Sequence, residues 1–265
     1  MIRRVVPFLL ILTALAPATA DAAVSKKKAI SGPVEFEGES QFPTYAALGA
    51  GIYVATLDRS KVAVMDPENA KDPDDPGYEW PPELDEAVSE AAKYHIQIAF
   101  TLEHANADFA TAAARRYPKA RLWQVAKTSA YAATLGKVYT ALKARSKQNK
   151  VIANPGSAKA PKAKFDLFGY TPVAKKKLPN LDTLHKAVKK DLFITGWTLD
   201  TGRSAAAKTI TAAFRTAKRA SYVYTLGYDG LYDTGEVGSD GRIPKTGLLA
   251  NDGTKRPAYE AFKAG

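Results

Sequence analysis

Short apolar runs alternate along the chain with longer segments that have helical spacing. Seven runs of apolar and β-branched residues, and a weaker alternation at residues 34–37, are typical of strands. The pattern predicts strands at residues 34–37, 51–57, 96–102, 120–125, 150–153, 165–170, 192–195 and 222–226. Most are followed by a helical pattern, such as the apolar stripe Leu84, Ala87, Val88 and Ala91 in the helix predicted over 83–94.

This alternation of strand and helix predicts an α/β fold with a parallel sheet. Eight such units in about 240 residues suit a closed (β/α)8 TIM barrel. Residues 154–164 (NPGSAKAPKAK) cannot form a helix, so the predicted barrel is trimmed after the fifth strand. An open doubly wound sheet is the alternative, but it would normally carry a phosphate-binding glycine loop after the first strand, which this sequence lacks.

The N-terminus has the pattern of a secretory signal peptide, with Arg3 and Arg4 before a short apolar run over residues 5–15. Small residues at 18–20 supply a cleavage site. We therefore predict a signal peptide at 1–20, a flexible N-terminus at 21–32, a barrel domain at 33–265 and a secreted protein. An uncleaved anchor is the alternative. The apolar run is short for a bilayer and no other segment is apolar enough, so we expect no membrane span.

The composition narrows the chemistry. The chain has no cysteine and three histidines, so we expect neither a metal site nor a cofactor. A net charge of +11 favours anionic partners, and outside the cell these include acidic polysaccharides, cell-wall glycans and anionic membrane surfaces. We expect no nucleic-acid partner, because neither a basic helix nor an RNP-like aromatic pair is present. The sequence does not give the oligomeric state.

In a β/α barrel the site lies at the C-terminal ends of the strands. Carboxylates follow four predicted strands there, at Asp58, Glu103, Asp200 and Asp229. Glu103 and Asp200, from roughly opposed sides of the ring, are the weak candidates for a catalytic pair. The alternative for each is a solvated loop acid or a helix cap. We predict substrate contacts from residues near the strand ends, namely Tyr78, Trp80, Gln124, Tyr170, Trp197, Tyr228 and Asp229.

Lysines cluster in two loops on the same predicted face. Lys159, Lys162 and Lys164 follow the fifth strand, and residues 175–177 (KKK) follow the sixth. Together they could form a basic rim that suits an acidic polysaccharide. The alternative is that they only keep the loops soluble.

Five stretches resemble the retaining β-glycosidases of the large TIM-barrel clan, and the resemblance runs from about Thr44 to Phe262. These stretches are DPDDPGYEWPPELDEAVSEAAKYHIQI, ARRYPKARLWQVAKTSAYAATLGKVYTALKA, FDLFGYTPV, LFITGWTLDTG and GLLANDGTKRPAYEAF. The resemblance implies a barrel with an acid/base glutamate after the fourth strand and a nucleophilic glutamate after the seventh.

Both glutamates are missing. Gln124, Val125 and Ala126 stand where the resemblance places the acid/base, and Gly196 directly follows Thr195 where it places the nucleophile. The family's double displacement needs both carboxylates. The sequence therefore predicts a secreted glycoside hydrolase-like protein that binds a glycan without this hydrolysis. Two alternatives remain: an active hydrolase with relocated carboxylates, and a non-enzymatic interaction protein of the cell envelope.

Overall fold

The computed structural model describes residues 23–173, 177–233 and 243–265. Eight parallel strands in this part close into a barrel. They are β1 Ser25–Ser31, β4 Ala50–Asp58, β5 Gln97–Glu103, β6 Leu122–Val125, β7 Lys150–Ala153, β8 Leu167–Tyr170, β9 Leu192–Trp197 and β10 Val223–Asp229. Neighbouring strands pair in this order, and β10 pairs with β1 to close the ring. The predicted TIM-barrel fold is confirmed.

Helices surround the ring and follow all but one of the barrel strands. They are α1 Phe42–Ala47, α2 Arg59–Val62, α3 Pro82–Lys93, α4 Ala107–Arg116, α5 Tyr131–Arg145, α6 Leu181–Val188, α7 Ala205–Arg219 and α8 Pro257–Ala264. The connection from β7 to β8, residues 154–166, contains no helix, as predicted for the trimmed barrel. No helix in the described ranges is long and apolar enough to cross a membrane.

The first barrel strand differs from the prediction. Residues 25–31, expected to belong to a flexible N-terminus, form β1, and Glu35–Phe36 forms β2, which pairs only with β3 (Glu39–Ser40) in a small hairpin. The lysine run suggested a solvated tail, yet Lys28 is buried. Its ammonium group donates to the backbone carbonyls of Phe262 (2.9 Å) and Lys263 (2.8 Å) at the end of α8. A lysine that caps a helix in this way can lie inside a strand.

The apolar core has two layers. Inside the barrel, small and medium side chains from seven strands pack together, namely Ala29, Ile52, Ala99, Leu122, Ile152, Leu167 and Phe193. Between strands and helices lies a larger layer that holds most of the aromatic rings, including Phe100 and Trp123. Because side chains alternate along a strand, a residue of the inner layer shows that the residues two and four positions further along the same strand also point inward.

The connection that lacks a helix is held by polar contacts. The Asp166 carboxylate accepts a hydrogen bond from the Val151 backbone N–H (2.7 Å) and pairs with the Lys143 ammonium group of α5 (2.9 Å). Ala160 and Ala163 pack against the outer core layer. These contacts tie residues 154–166 to the barrel, but they leave the outer side of α5 uncovered.

Candidate ligand site at the mouth of the barrel

The C-terminal ends of the strands form an open, polar mouth. Ile52 of β4 and Ala99 of β5 belong to the inner core layer, so strand alternation turns Asp58 and Glu103 toward the barrel axis as well. Thr56, two residues before Asp58 on β4, also points inward and is exposed. The barrel interior is therefore open to solvent down to the level of Thr56.

Asp58, Glu103 and His104 form a compact group at one side of this mouth. Asp58 and Glu103 are directly paired across β4 and β5, and the ligand-type atoms of all three side chains lie within 4.8 Å of one another. The His104 ring nitrogen Nδ1 is 2.8 Å from Asp58 Oδ1. His104 has a positive φ of 50°, which is uncommon for a residue with a side chain. The three residues offer two carboxylates and an imidazole to a ligand or a cation.

The Asp58 carboxylate is well supplied with hydrogen bonds. Its Oδ1 accepts from the Ser60 backbone N–H (2.9 Å) and the Ser60 hydroxyl (2.8 Å), which caps α2, and contacts His104. Desolvation raises the pKa of Asp58, but the hydrogen bonds from His104 and Ser60 outweigh it, and the pKa lies below its ordinary value of 3.8. Asp58 is therefore an anion at neutral pH.

Other polar side chains complete the mouth. Asp229 of β10 accepts a hydrogen bond from the Ser31 hydroxyl of β1. After β7 and β8, Asn154 Nδ2 donates to the Thr171 hydroxyl (3.0 Å). Gly227 faces inward, since a Cβ there would lie 3.2 Å from Ala29 Cβ, so Asp229, two residues on, is directed to the same side.

Gln124, predicted to contact the substrate, lies deeper in the barrel than the side chains at the mouth. Its side chain is buried, its Nε2 donates to the Thr101 hydroxyl (3.2 Å), and its Oε1 accepts from the Thr195 hydroxyl (3.4 Å). This chain of hydrogen bonds crosses the ring from β5 through β6 to β9. Gln124 therefore forms part of the floor of the mouth.

No carboxylate occupies the two positions at which the resemblance places the catalytic glutamates. Val125 is buried in the outer core layer, and Ala126, which follows it, has no functional group. Gly196 has a φ of +72°, and a Cβ at this residue would lie 2.8 Å from Thr171 Cγ2. The backbone at Gly196 therefore leaves no room for a nucleophilic side chain.

Two of the predicted sugar contacts are core residues. Trp197 and Tyr228 are buried, and their rings pack edge to face at 5.9 Å in the outer layer. The Tyr228 hydroxyl donates to the Thr246 carbonyl (2.8 Å) and accepts from the Leu199 N–H (3.2 Å). Burial raises the pKa of Tyr228 well above its ordinary range. Neither ring offers a face to a sugar, because both are fully buried. The positive φ of Gly196 turns Trp197 outward, and strand alternation places Tyr228 on the side opposite Asp229.

The other predicted aromatic contacts lie outside the mouth. Tyr78 donates to the Ala70 carbonyl and Trp80 Nε1 to the Pro73 carbonyl, both at 2.7 Å, and the Trp80 ring stacks on Phe109 of α4. These contacts fasten the loop before α3 to α4. Tyr170 is half-buried at the end of β8 and packs against the outer core layer.

The predicted pair of Glu103 and Asp200 is not brought together. Asp200 follows β9, four strands from β5 around the ring, and its carboxylate accepts from the Gly202 N–H (3.2 Å) and pairs with Arg203 (2.9 Å). Asp200 thus stabilises its own loop. The partner of Glu103 is Asp58, which the sequence also placed at a strand end, and the contact with His104 was missed.

The predicted basic rim is placed only in part. Lys162 lines a groove on the outer side of α5. Lys159 and Lys164 are exposed in the same connection, whereas Lys175 and Lys176 lie outside the described residues. The ionisable side chains that strand alternation directs into the mouth are instead Asp58, Glu103 and Asp229. A further cation, Lys127, lies against Gly156 at the rim.

Solved structures similar to this barrel include glycoside hydrolases. They include xylanase B from Clostridium stercorarium F9 (TM-score 0.67, 11% identity, 90% of this chain and 96% of that one). A family 39 enzyme from Xanthomonas axonopodis pv. citri has a TM-score of 0.65 (13% identity, 92% and 67%), and one from Bacteroides cellulosilyticus WH2 has 0.62 (14% identity, 91% and 63%).

The chain folds as a glycoside hydrolase-like barrel. It spans 63% of the length of the Bacteroides enzyme. At identities of 10–14% the likeness concerns the fold. No family model and no curated protein matches the sequence. Activity must therefore be argued from the side chains of this glycoside hydrolase-like barrel.

Proposed function

We propose that this protein binds a carbohydrate at the mouth of its barrel without the two-glutamate hydrolysis of the glycosidases it resembles. The observation that carries the proposal is the combination of an open polar mouth with Ala126 and Gly196 at the ends of the fourth and seventh barrel strands. Sugar hydroxyls are bound by carboxylate, amide and hydroxyl side chains, which Asp58, Glu103 and Asp229 help to supply.

The charge at the mouth bears on the ligand. Three inward-directed carboxylates favour a neutral sugar, or one that carries an ammonium group, over the acidic polysaccharide predicted from the lysine-rich loops. Lys127 at the rim is the cation through which an acidic sugar could bind. A cell-wall glycan remains compatible, since such polymers include neutral and amino sugars. Binding of neutral, amino and uronic-acid oligosaccharides, compared by isothermal titration calorimetry, separates these classes.

The test is binding together with the absence of turnover. We expect a neutral or amino oligosaccharide to bind, the Glu103→Gln and Asp229→Asn variants to bind at least about tenfold more weakly, and the Asp200→Asn control to bind normally. Asp200 is a matched carboxylate that is engaged by Arg203. Unchanged binding in both mouth variants, or no binding of any sugar by the wild type, would contradict the proposal.

One observation favours a second candidate, an active glycoside hydrolase with relocated acids. One carboxylate oxygen each of Asp58 and Glu103 lie within 4.8 Å of one another. This is close to the separation of about 5–5.5 Å between the two carboxyl groups of retaining glycosidases. The lowered pKa of Asp58 suits a nucleophile, and Glu103 would be the acid/base. Release of aryl alcohol from aryl β-glycosides, abolished in both Asp58→Asn and Glu103→Gln, would establish this activity in place of simple binding.

Export is the remaining part of the proposal. It is supported by the signal-like sequence of residues 1–20, which lie outside the described residues. Expression of the full chain in a bacterial host with a secretory pathway, followed by mass determination of the product, tests it. A product whose mass corresponds to a chain that starts between Ala20 and Val24 supports export. A product that retains Met1 and stays in the cell pellet opposes it.

A further inference from the structure

A large groove runs along the outer side of α5. It has a volume of about 770 Å³, and its floor is the exposed side of α5, where Ala132, Gly136, Thr140 and Ala144 recur every four residues. One wall is α4, and the other is the connection between β7 and β8. The groove exists because this connection contains no helix to cover the adjoining flank of α5.

The dimensions of the groove fit an α-helix. Residues 132–144 of the floor span ~18 Å of α5, which matches about three turns of a second helix with a pitch of 5.4 Å. Gly136 lies within α5, where glycine costs about 1 kcal/mol of helix stability relative to alanine. Nothing in the described structure lies within 4 Å of a Cβ built there, so no packing contact within this part of the chain requires glycine. A second helix could approach closely at this point.

The charges around the groove indicate which kind of partner helix it would bind. Lys137, Arg145 and Lys162 line it, and none of them has an ion-pair partner among the described residues. Lys71 and Asp108 also line it and pair with each other at 3.6 Å. The groove thus carries a net positive charge, which would repel the same face of a second copy and attract an acidic partner.

We propose that the groove binds an acidic amphipathic α-helix of a partner protein, which occupies the place of the helix missing after β7. The small floor residues admit the apolar side of this helix, and its glutamates or aspartates pair with Lys137, Arg145 and Lys162. A sugar polymer fits less well, because the floor offers no aromatic face and its Thr140 hydroxyl already donates to the Gly136 carbonyl (3.0 Å). This site is independent of the carbohydrate site at the mouth.

A synthetic peptide provides the test. The probe is a fluorescently labelled, capped helix of about 18 residues, ~27 Å long, with alanine and leucine on one side and glutamate on the other. We expect saturable binding to the full protein in fluorescence anisotropy, weakened by added salt. A peptide with lysine in place of every glutamate should bind at least about tenfold more weakly.

Two variants locate the binding. Gly136→Leu fills the floor and should weaken peptide binding at least about tenfold, although leucine is a better helix former and no described residue comes within 4 Å of a Cβ at this position. Lys137→Glu should weaken binding about threefold or more, whereas the matched control Lys208→Glu, at an exposed lysine of α7, should leave it unchanged. Thermal unfolding of each variant shows that the barrel remains folded.

Several results would overturn the proposal. One is failure of the acidic peptide to bind, and another is binding that Gly136→Leu does not weaken. A dimer in analytical ultracentrifugation that Gly136→Leu disrupts would assign the groove to a second copy of the chain. Polygalacturonate binding lost in the same variant would assign it to an acidic polysaccharide. Because oligosaccharide binding at the mouth is measured separately, neither proposal depends on the other.

Discussion

The imidazole of His104, directly after β5, lies 2.8 Å from the carboxylate of Asp58 at the end of β4, although the two residues are 46 positions apart in sequence. The same carboxylate oxygen caps α2 through Ser60. One anion therefore orders the ends of β4 and β5, and it does so directly beside Glu103. This arrangement fixes the geometry of one side of the barrel mouth.

The first prediction concerns Asp58 and pH. Its folded-state pKa lies below the ordinary 3.8, so Asp58 stabilises the fold above that value and loses this contribution as the pH falls through the lowered pKa. We expect Asp58→Asn to cost about 1–2 kcal/mol at pH 7, in line with hydrogen bonds to a charged group. Urea unfolding at pH 7 and pH 3 should show the difference from wild type shrinking at the lower pH.

A matched control for Asp58 is Glu68→Gln. Glu68 is exposed in the loop that follows α2 and makes no hydrogen bond or ion pair within the described ranges. Its replacement should leave stability unchanged at both pH values. If the destabilisation by Asp58→Asn is as large at pH 3 as at pH 7, the assigned cause of the pKa shift is incorrect.

The second prediction distinguishes a core role for Trp197 from a role in sugar binding. Trp197 is buried and packs against Tyr228, so Trp197→Ala should cost about 3–5 kcal/mol of unfolding free energy. Trp197→Phe should cost less and leave oligosaccharide binding at the mouth intact. A Trp197→Phe protein of near wild-type stability that no longer binds sugar would place the ring in the ligand site instead.

The third prediction concerns the backbone turn at Gly196. Gly196→Ala forces a positive φ on alanine, at roughly 1–2 kcal/mol, and sets its Cβ 2.8 Å from Thr171 Cγ2. We expect Thr171→Ser, which removes that methyl group and keeps the hydroxyl, to recover part of the loss. Denaturant unfolding of the two single variants and the double variant gives the coupling energy, and simple additivity would show that the close contact contributes nothing.

The fourth prediction concerns alkaline pH and Lys28. Burial, and then the nearby Lys218, lower the pKa of Lys28 from 10.5 to about 8. Between about pH 8 and 10.5 the unfolded chain therefore binds more protons at this residue than the folded protein does, so stability rises with pH relative to a variant without the amine. The unfolding free energy of the wild type, measured by urea titration, should rise relative to that of Lys28→Met over this pH range. If the two free energies change in parallel with pH, the lowered pKa of Lys28 is ruled out.

Sequence patterns predicted seven of the eight barrel strands, because their β-branched and apolar residues are buried on both sides. They missed β1, since Lys27 and Lys28 suggested solvent, although their ammonium groups bind carbonyls at the ends of α7 and α8. The missing helix after β7 was predicted because prolines and glycine interrupt residues 154–164.

The site was harder to predict than the fold. The ends of the predicted strands drew attention to Asp58, Glu103 and Asp229, which strand alternation directs into the mouth. A position near a strand end does not, however, show which way an aromatic ring points. Trp197 turns outward because Gly196 adopts a positive φ and the pairing of β9 with β10 shifts register there. The contact of His104 with Asp58 depends on the positive φ of His104, and nothing in the sequence indicates that this residue adopts it.

The place of β1 between β4 and β10 has a consequence for biosynthesis. The Ser31 hydroxyl meets its partner on β10 only across 198 positions of chain. The ring cannot close on a growing polypeptide until the last strand has left the ribosome, so the nascent chain stays open throughout most of translation. The pairing that closes the ring thus joins the two barrel strands that are farthest apart in sequence, and pairing over such a separation is intrinsically slow.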